Sequence, residues 1–111
     1  MTVSVQTEGF DIAAETSALS AGRSDVGAIA SFLGMVRGEG ELAAMSLEHY
    51  PGMTEKALTD IVAQAEARWS LQGVRVIHRI GRLLPGERIV FVGVASRHRG
   101  DAFAACEFIM D

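Results

Sequence analysis

The chain has 111 residues, 49% hydrophobic and 22% charged, with a formal net charge of −4. That length suits one compact domain, residues 1–111, and that composition excludes a disordered chain. The acidic balance argues against nucleic-acid binding, Ile89 to Ser96 is too short an apolar run to span a bilayer, and a single cysteine, Cys106, with no secretory leader pattern points to the cytoplasm.

In chain order, Thr2 to Thr7 alternates weakly and predicts a short strand. Phe10 to Leu19 predicts a short helix with Asp11 as its N-cap, followed by a loop at Gly22 to Asp25. Gly27 to Arg37 predicts a strand with Ile29, Leu33 and Met35 on one face. Gly38-Glu39-Gly40-Glu41 interrupts it, and Leu42 to Tyr50 predicts a second strand, so the two are expected to pair as a hairpin. Pro51-Gly52 ends that strand. Thr54 to Trp69 is the clearest helix, with Leu58, Ile61, Val62, Ala65 and Trp69 on one face and Thr54 as cap. Val74 to Ile80 alternates, placing Val74, Val76, His78 and Ile80 on one side. Gly81 to Gly86 reads as a turn, with Leu84-Pro85-Gly86-Glu87 as its signal. Arg88 to Ser96 is nearly continuously apolar and predicts a strand buried on both faces. Arg97 to Gly100 is a polar junction, and Asp101 is expected to cap a final helix through Met110. The order β-α-β-β-α-β-β-α predicts an α+β fold with mixed or antiparallel sheets and about three helices.

The strongest candidate site is His98-Arg99, between the buried strand and the last helix. A helix N-terminus offers unpaired N–H groups and a positive dipole end, and an arginine fork there grips phosphate through two hydrogen bonds. The alternative is a solvated polar loop. Arg37 is a second candidate if the fold brings it to His98-Arg99. Glu48 and His49 are neighbours on a strand, so their side chains point to opposite faces and do not form an acid–base pair. His78 is expected as a hydrogen-bonded core histidine and Cys106 as a small buried hydrophobe. The scattered His49, His78, His98 and Cys106 make no metal-ligand spacing, and there is no nucleotide-binding glycine motif or nucleophile elbow.

The segments GAIASFLGMVR (Gly27 to Arg37), LEHYPGMTEKAL (Leu47 to Leu58) and VIHRIGRLLPGERIVFVGVASRHRGDAFAACEFIMD (Val76 to Asp111) resemble the large, catalytic-type subunits of molybdopterin synthases. The resemblance covers roughly Gly27 to Asp111. It implies an α/β-hammerhead-like fold and conversion of cyclic pyranopterin monophosphate (precursor Z) to molybdopterin. The sulfur would come from a small ubiquitin-like subunit carrying a C-terminal Gly-Gly thiocarboxylate, in a heterotetramer built on a central homodimer of large subunits. It implies no cofactor. Residue by residue, Met35, Val36 and Arg37 match the family's GMVR substrate segment, and His98 and Arg99 match its His-Arg pair at the pterin phosphate. Met35 stands where relatives often carry lysine, and the loop Gly38 to Leu42 is shorter than in relatives. The family's two catalytic lysines lie in a segment beyond Asp111, whereas the one lysine here, Lys56, is in another motif. This implies a C-terminally truncated form, inactive or nearly so by itself. A non-catalytic dimeric binding module is the competing reading, and a small α+β ligand-sensing domain is a third.

Overall fold

The computed structural model describes residues 2–37, 45–47 and 52–110, with 45–47 described as backbone only. Its elements are β1 (Val3–Gln6), α1 (Ile12–Ala18), β2 (Ala28–Met35), β3 (Met45–Leu47), α2 (Met53–Arg68), β4 (Leu71–Arg79), β5 (Gly81–Leu83), β6 (Arg88–Ser96) and α3 (Arg99–Met110). The main sheet has the order β1-β4-β6-β2; β3 and β5 form a second, two-stranded sheet. β1 runs parallel to β4, while β4–β6 and β6–β2 are antiparallel. This is the expected α+β architecture with a mixed sheet and three helices.

The sheet is organised by its central strand. Phe91 through Ser96 of β6 are all buried, as its unbroken apolar run predicts. Strand register places Val3, Val76, Val92 and Phe32 in one row across all four strands. Side chains directly opposite one another share a face, so this row forms one layer of the core beneath the helices. Val62 and Ala65 of α2 and Ala102, Ala105, Cys106 and Ile109 of α3 close over it. Trp69 meets Phe108 edge-on at 5.5 Å between ring centroids, and the Arg68 guanidinium stacks 4.8 Å from both rings, joining the ends of the two helices. On the other face, Phe91 takes a tilted contact from Phe10 at 6.1 Å, next to Leu19 at the end of α1. Any Cβ at Gly93 would press within 3 Å of Leu19 and Phe91, so glycine lets this layer close.

Local chemistry sets the helix starts. Asp11 caps α1, accepting from the N–H groups of Ala13 (2.9 Å) and Ala14 (3.2 Å). The cap of α2 is Gly52, not Thr54: Gly52 has φ 81° and its N–H donates to Glu55 Oε1 at 3.1 Å. A left-handed entry suits glycine and leaves threonine inside the first turn.

Four further expectations are corrected. β2 and β3 do not pair as a hairpin; β2 pairs with β6 and β3 with β5. Eight residues of register with a buried central strand outweigh the short local connection. The helix-facing residues of β2 are Ala28, Ala30 and Phe32. Ile29 and Leu33 face the other side half-buried, and Met35, past a register shift at Gly34/Met35, is 51% exposed. Residues 81–83, read as turn, form β5, leaving only the Leu84–Glu87 turn. Asp101 lies within the first turn of α3, which starts at Arg99. The Gly38–Glu41 break and the Glu48-His49-Tyr50-Pro51 cluster lie outside the described residues.

The Leu84–Glu87 turn carries a pH-dependent lock. Leu84 N–H donates to Glu87 Oε2 at 2.6 Å, and Arg79 Nη1 donates to Glu87 Oε1 at 3.2 Å. Arg79 also donates to the carbonyls of Thr7 and Arg88, tying the end of β1 to the start of β6. The Leu84 N–H first, and Arg79 second, hold the Glu87 carboxyl below its ordinary value. A depressed carboxyl stabilises the fold above its unfolded pKa, about 4.3, and loses that contribution as pH falls through the folded value. Glu87→Gln is therefore expected to lower Tm at neutral pH, with the gap to the wild type closing below about pH 4. Melting curves across that range check it; a gap of constant size refutes the lock.

Candidate anion site

The His98-Arg99 end is built by the close of β6. Ser96 is fully buried, and its Oγ donates to the Ser70 carbonyl at 3.1 Å. Gly27 N–H donates to the Ser96 carbonyl at 2.9 Å. Gly27 lies so close to the Arg97 carbonyl that a Cβ there would collide with it, so glycine lets β2 begin hard against the exit of β6. Arg97 through Gly100 are exposed, and α3 starts immediately. The His98 carbonyl accepts from Ala102 N–H at 3.4 Å. His98 and Arg99 thus sit at the positive end of a 12-residue helix, as expected, one turn's start earlier than Asp101 implied. Nearby, Asp25 is held below the usual carboxylate range, chiefly by its hydrogen bond from Arg23 and, to a smaller extent, by the charge of Arg97.

Arg37 follows the other end of β2. Val36 is 3% exposed, its N–H donates to the Glu87 carbonyl and its carbonyl accepts from Gly86 N–H, both at 2.9 Å. Val36 therefore anchors the segment to the β5–β6 turn, leaving Met35 and Arg37 exposed on either side. Arg88, exposed and paired with Met35 in register, adds a cation to this end. Only the strand pairing reveals Arg88; nothing in the linear sequence links it to Arg37.

Within one chain the two clusters do not converge, so the condition on which Arg37 would join His98-Arg99 is not met inside a single protomer. β2 and β6 are antiparallel, with Ala28 opposite Ser96 and Met35 opposite Arg88. Eight strand steps at about 3.4 Å place the Arg37 end ~27 Å from the His98-Arg99 end.

The other candidates are structural. His78 is half-buried, and its Nδ1 has no hydrogen-bond partner among the described residues, contrary to the bonded core histidine expected. Cys106 is buried, as expected, and burial pushes its thiol pKa up. Lys56 is paired with Asp60 one turn away on α2 at 2.9 Å. Among the described residues no three His, Cys, Asp or Glu side chains group to hold a metal, and no helix is long and apolar enough to cross a membrane.

A mixed sheet, covered on one face by two helices and ending in an exposed His-Arg pair at a helix start, defines an α+β protein with a candidate anion site. The chain belongs to the MoaE protein family, whose model matches residues 5–111. It is 59% identical over 114 aligned residues to a molybdopterin synthase catalytic subunit of Ralstonia nicotianae, covering 99% of this chain and 64% of that protein's length. The structure is similar to a molybdopterin biosynthesis MoaE protein from Burkholderia ambifaria, with a TM-score of 0.89 at 53% identity over 99% of this chain and 76% of that one. It is also similar to a molybdopterin synthase from Staphylococcus aureus, with a TM-score of 0.85 at 26% identity over 96% of this chain and 79% of that one.

Proposed function

We propose that this chain serves as the large, sulfur-transferring subunit of a molybdopterin synthase. It would bind cyclic pyranopterin monophosphate and turn it into molybdopterin, with sulfur from the C-terminal Gly-Gly thiocarboxylate of a small ubiquitin-like partner. The observation that carries this reading is the exposed His98-Arg99 pair at the N-terminus of α3, in a chain of this family. The Arg99 fork and the helix dipole suit a phosphate monoester, and His98 adds a further hydrogen-bond donor.

Met35, Val36 and Arg37 complete the substrate-binding set from a second protomer. One phosphate cannot touch both ends of β2 in a single chain, so the homodimer is the arrangement in which Arg37 of one protomer and His98-Arg99 of its partner act together. Val36 positions Arg37 through its two bonds to the turn. The described residues would bind and orient substrate. A second reading is a dimeric module that binds pterin phosphate without turnover.

Incubation with precursor Z and a thiocarboxylated small subunit tests both. Dithiolene formation supports the enzyme, binding without turnover supports the module, and absence of both overturns the site.

A further inference from the structure

We infer that Glu87 and Arg79 are positioning residues for substrate: acting through the Leu84–Glu87 turn and Val36, their side chains set where Arg37 stands. This rests on the reading that Arg37 grips the pterin phosphate. The ladder between β2 and β6 shifts register at Gly34/Met35 and ends with Met35 opposite Arg88. Past that point the chain is held by the turn. Val36 N–H donates to the Glu87 carbonyl and Gly86 N–H donates to the Val36 carbonyl, both at 2.9 Å. Arg37 is the next residue, so its direction follows the shape of the turn.

That shape is fixed by side chains. Glu87 accepts with both carboxylate oxygens, from Leu84 N–H at 2.6 Å and from Arg79 Nη1 at 3.2 Å. The Arg79 side chain is only 13% exposed. Its Nε and Nη2 donate to the Thr7 carbonyl at 3.2 and 2.9 Å, and its Nη1 also donates to the Arg88 carbonyl at 3.3 Å. One guanidinium thus joins the chain after β1, the turn and the first residue of β6. Glu87 joins the same turn, through its own carbonyl, to the segment that carries Arg37.

Stability alone is a poor reason for this arrangement. A largely buried ion pair gains little over well-packed apolar side chains, because desolvation offsets the attraction. What directional, charge-assisted bonds add is a defined geometry. A phosphate-gripping arginine needs that, since a misplacement of about 1 Å in a binding group is enough to lose most of its contribution. With glutamine at 87, the Arg79 guanidinium loses its counter-charge and the turn loosens. Arg37 then spends part of its time away from the phosphate.

The full chain is assayed with precursor Z by calorimetry and, with the thiocarboxylated small subunit, by turnover, at a temperature well below melting. Glu87→Gln and Arg79→Met, each folded by circular dichroism, are expected to raise Kd and KM about five- to twentyfold while kcat at saturation stays within about twofold. In an Arg37→Ala background, Glu87→Gln should cost less than about a further twofold, because the group it positions is gone. Asp11→Ala, which removes the α1 cap, controls for lost stability and should leave Kd unchanged. Wild-type affinity in both variants, equal weakening with and without Arg37, or the same weakening in Asp11→Ala overturns the positioning role and leaves the functional reading standing. Wild-type protein that neither binds nor converts precursor Z overturns the functional reading, and any role toward substrate with it.

Discussion

Arg37→Ala and Arg99→Ala are each expected to lower kcat/KM for precursor Z by about ten- to a hundredfold, because each removes a charge-assisted contact of roughly 1.5–3 kcal/mol to the phosphate. The sharper result comes from mixing them. A dimer of one Arg37→Ala and one Arg99→Ala protomer has one site with both defects and one with neither. Random reassembly of equal amounts, through unfolding and refolding together, should restore about a quarter of the wild-type sites, since half the dimers are mixed and each holds one intact site. If both groups served a site inside one protomer, mixing would restore nothing. The physical basis is the separation of the two ends of β2, which no side chain spans.

Phe91→Ala carries the largest expected stability loss. Phe91 is 1% exposed at the middle of the central strand, against Phe10 and beneath Leu19. Large-to-small changes of a buried phenylalanine cost about 3–5 kcal/mol, set against a total of about 5–15 kcal/mol for a domain. The midpoint of thermal unfolding should fall on the order of 15 °C or more. Met53→Ala, at a residue 70% exposed, should change stability by no more than about 0.5 kcal/mol. Calorimetry of the two variants separates the outcomes; equal losses would contradict the assigned core.

Residues 88–96 were legible as a strand to the residue, because an unbroken run of branched and aromatic side chains has one stable home, the middle of a sheet. α2 was legible from apolar spacing to within one residue at its start, whereas α3 begins at Arg99, ahead of the Asp101 expected to cap it. The caps were read less well: glycine at 52 enters α2 through a positive φ, which depends on where the preceding chain arrives. β5 was missed because Gly81–Leu83 is three residues long and acquires its strand character only by pairing with β3.

The candidate site divides the same way. His98 and Arg99 at a helix start follow from order along the chain, since strand, junction and helix are contiguous and the helix dipole is a local property. Composition, the apolar run of β6 and the family motifs were likewise set by the sequence itself. Strand partners were not. Only the tertiary structure put β2 antiparallel to β6, exposed its outer edge, brought Arg88 to the Arg37 end and carried Arg37 away from His98-Arg99. Pairing between residues 60 positions apart is decided by which apolar faces can be buried together, and that is a property of the whole packed chain rather than of any segment.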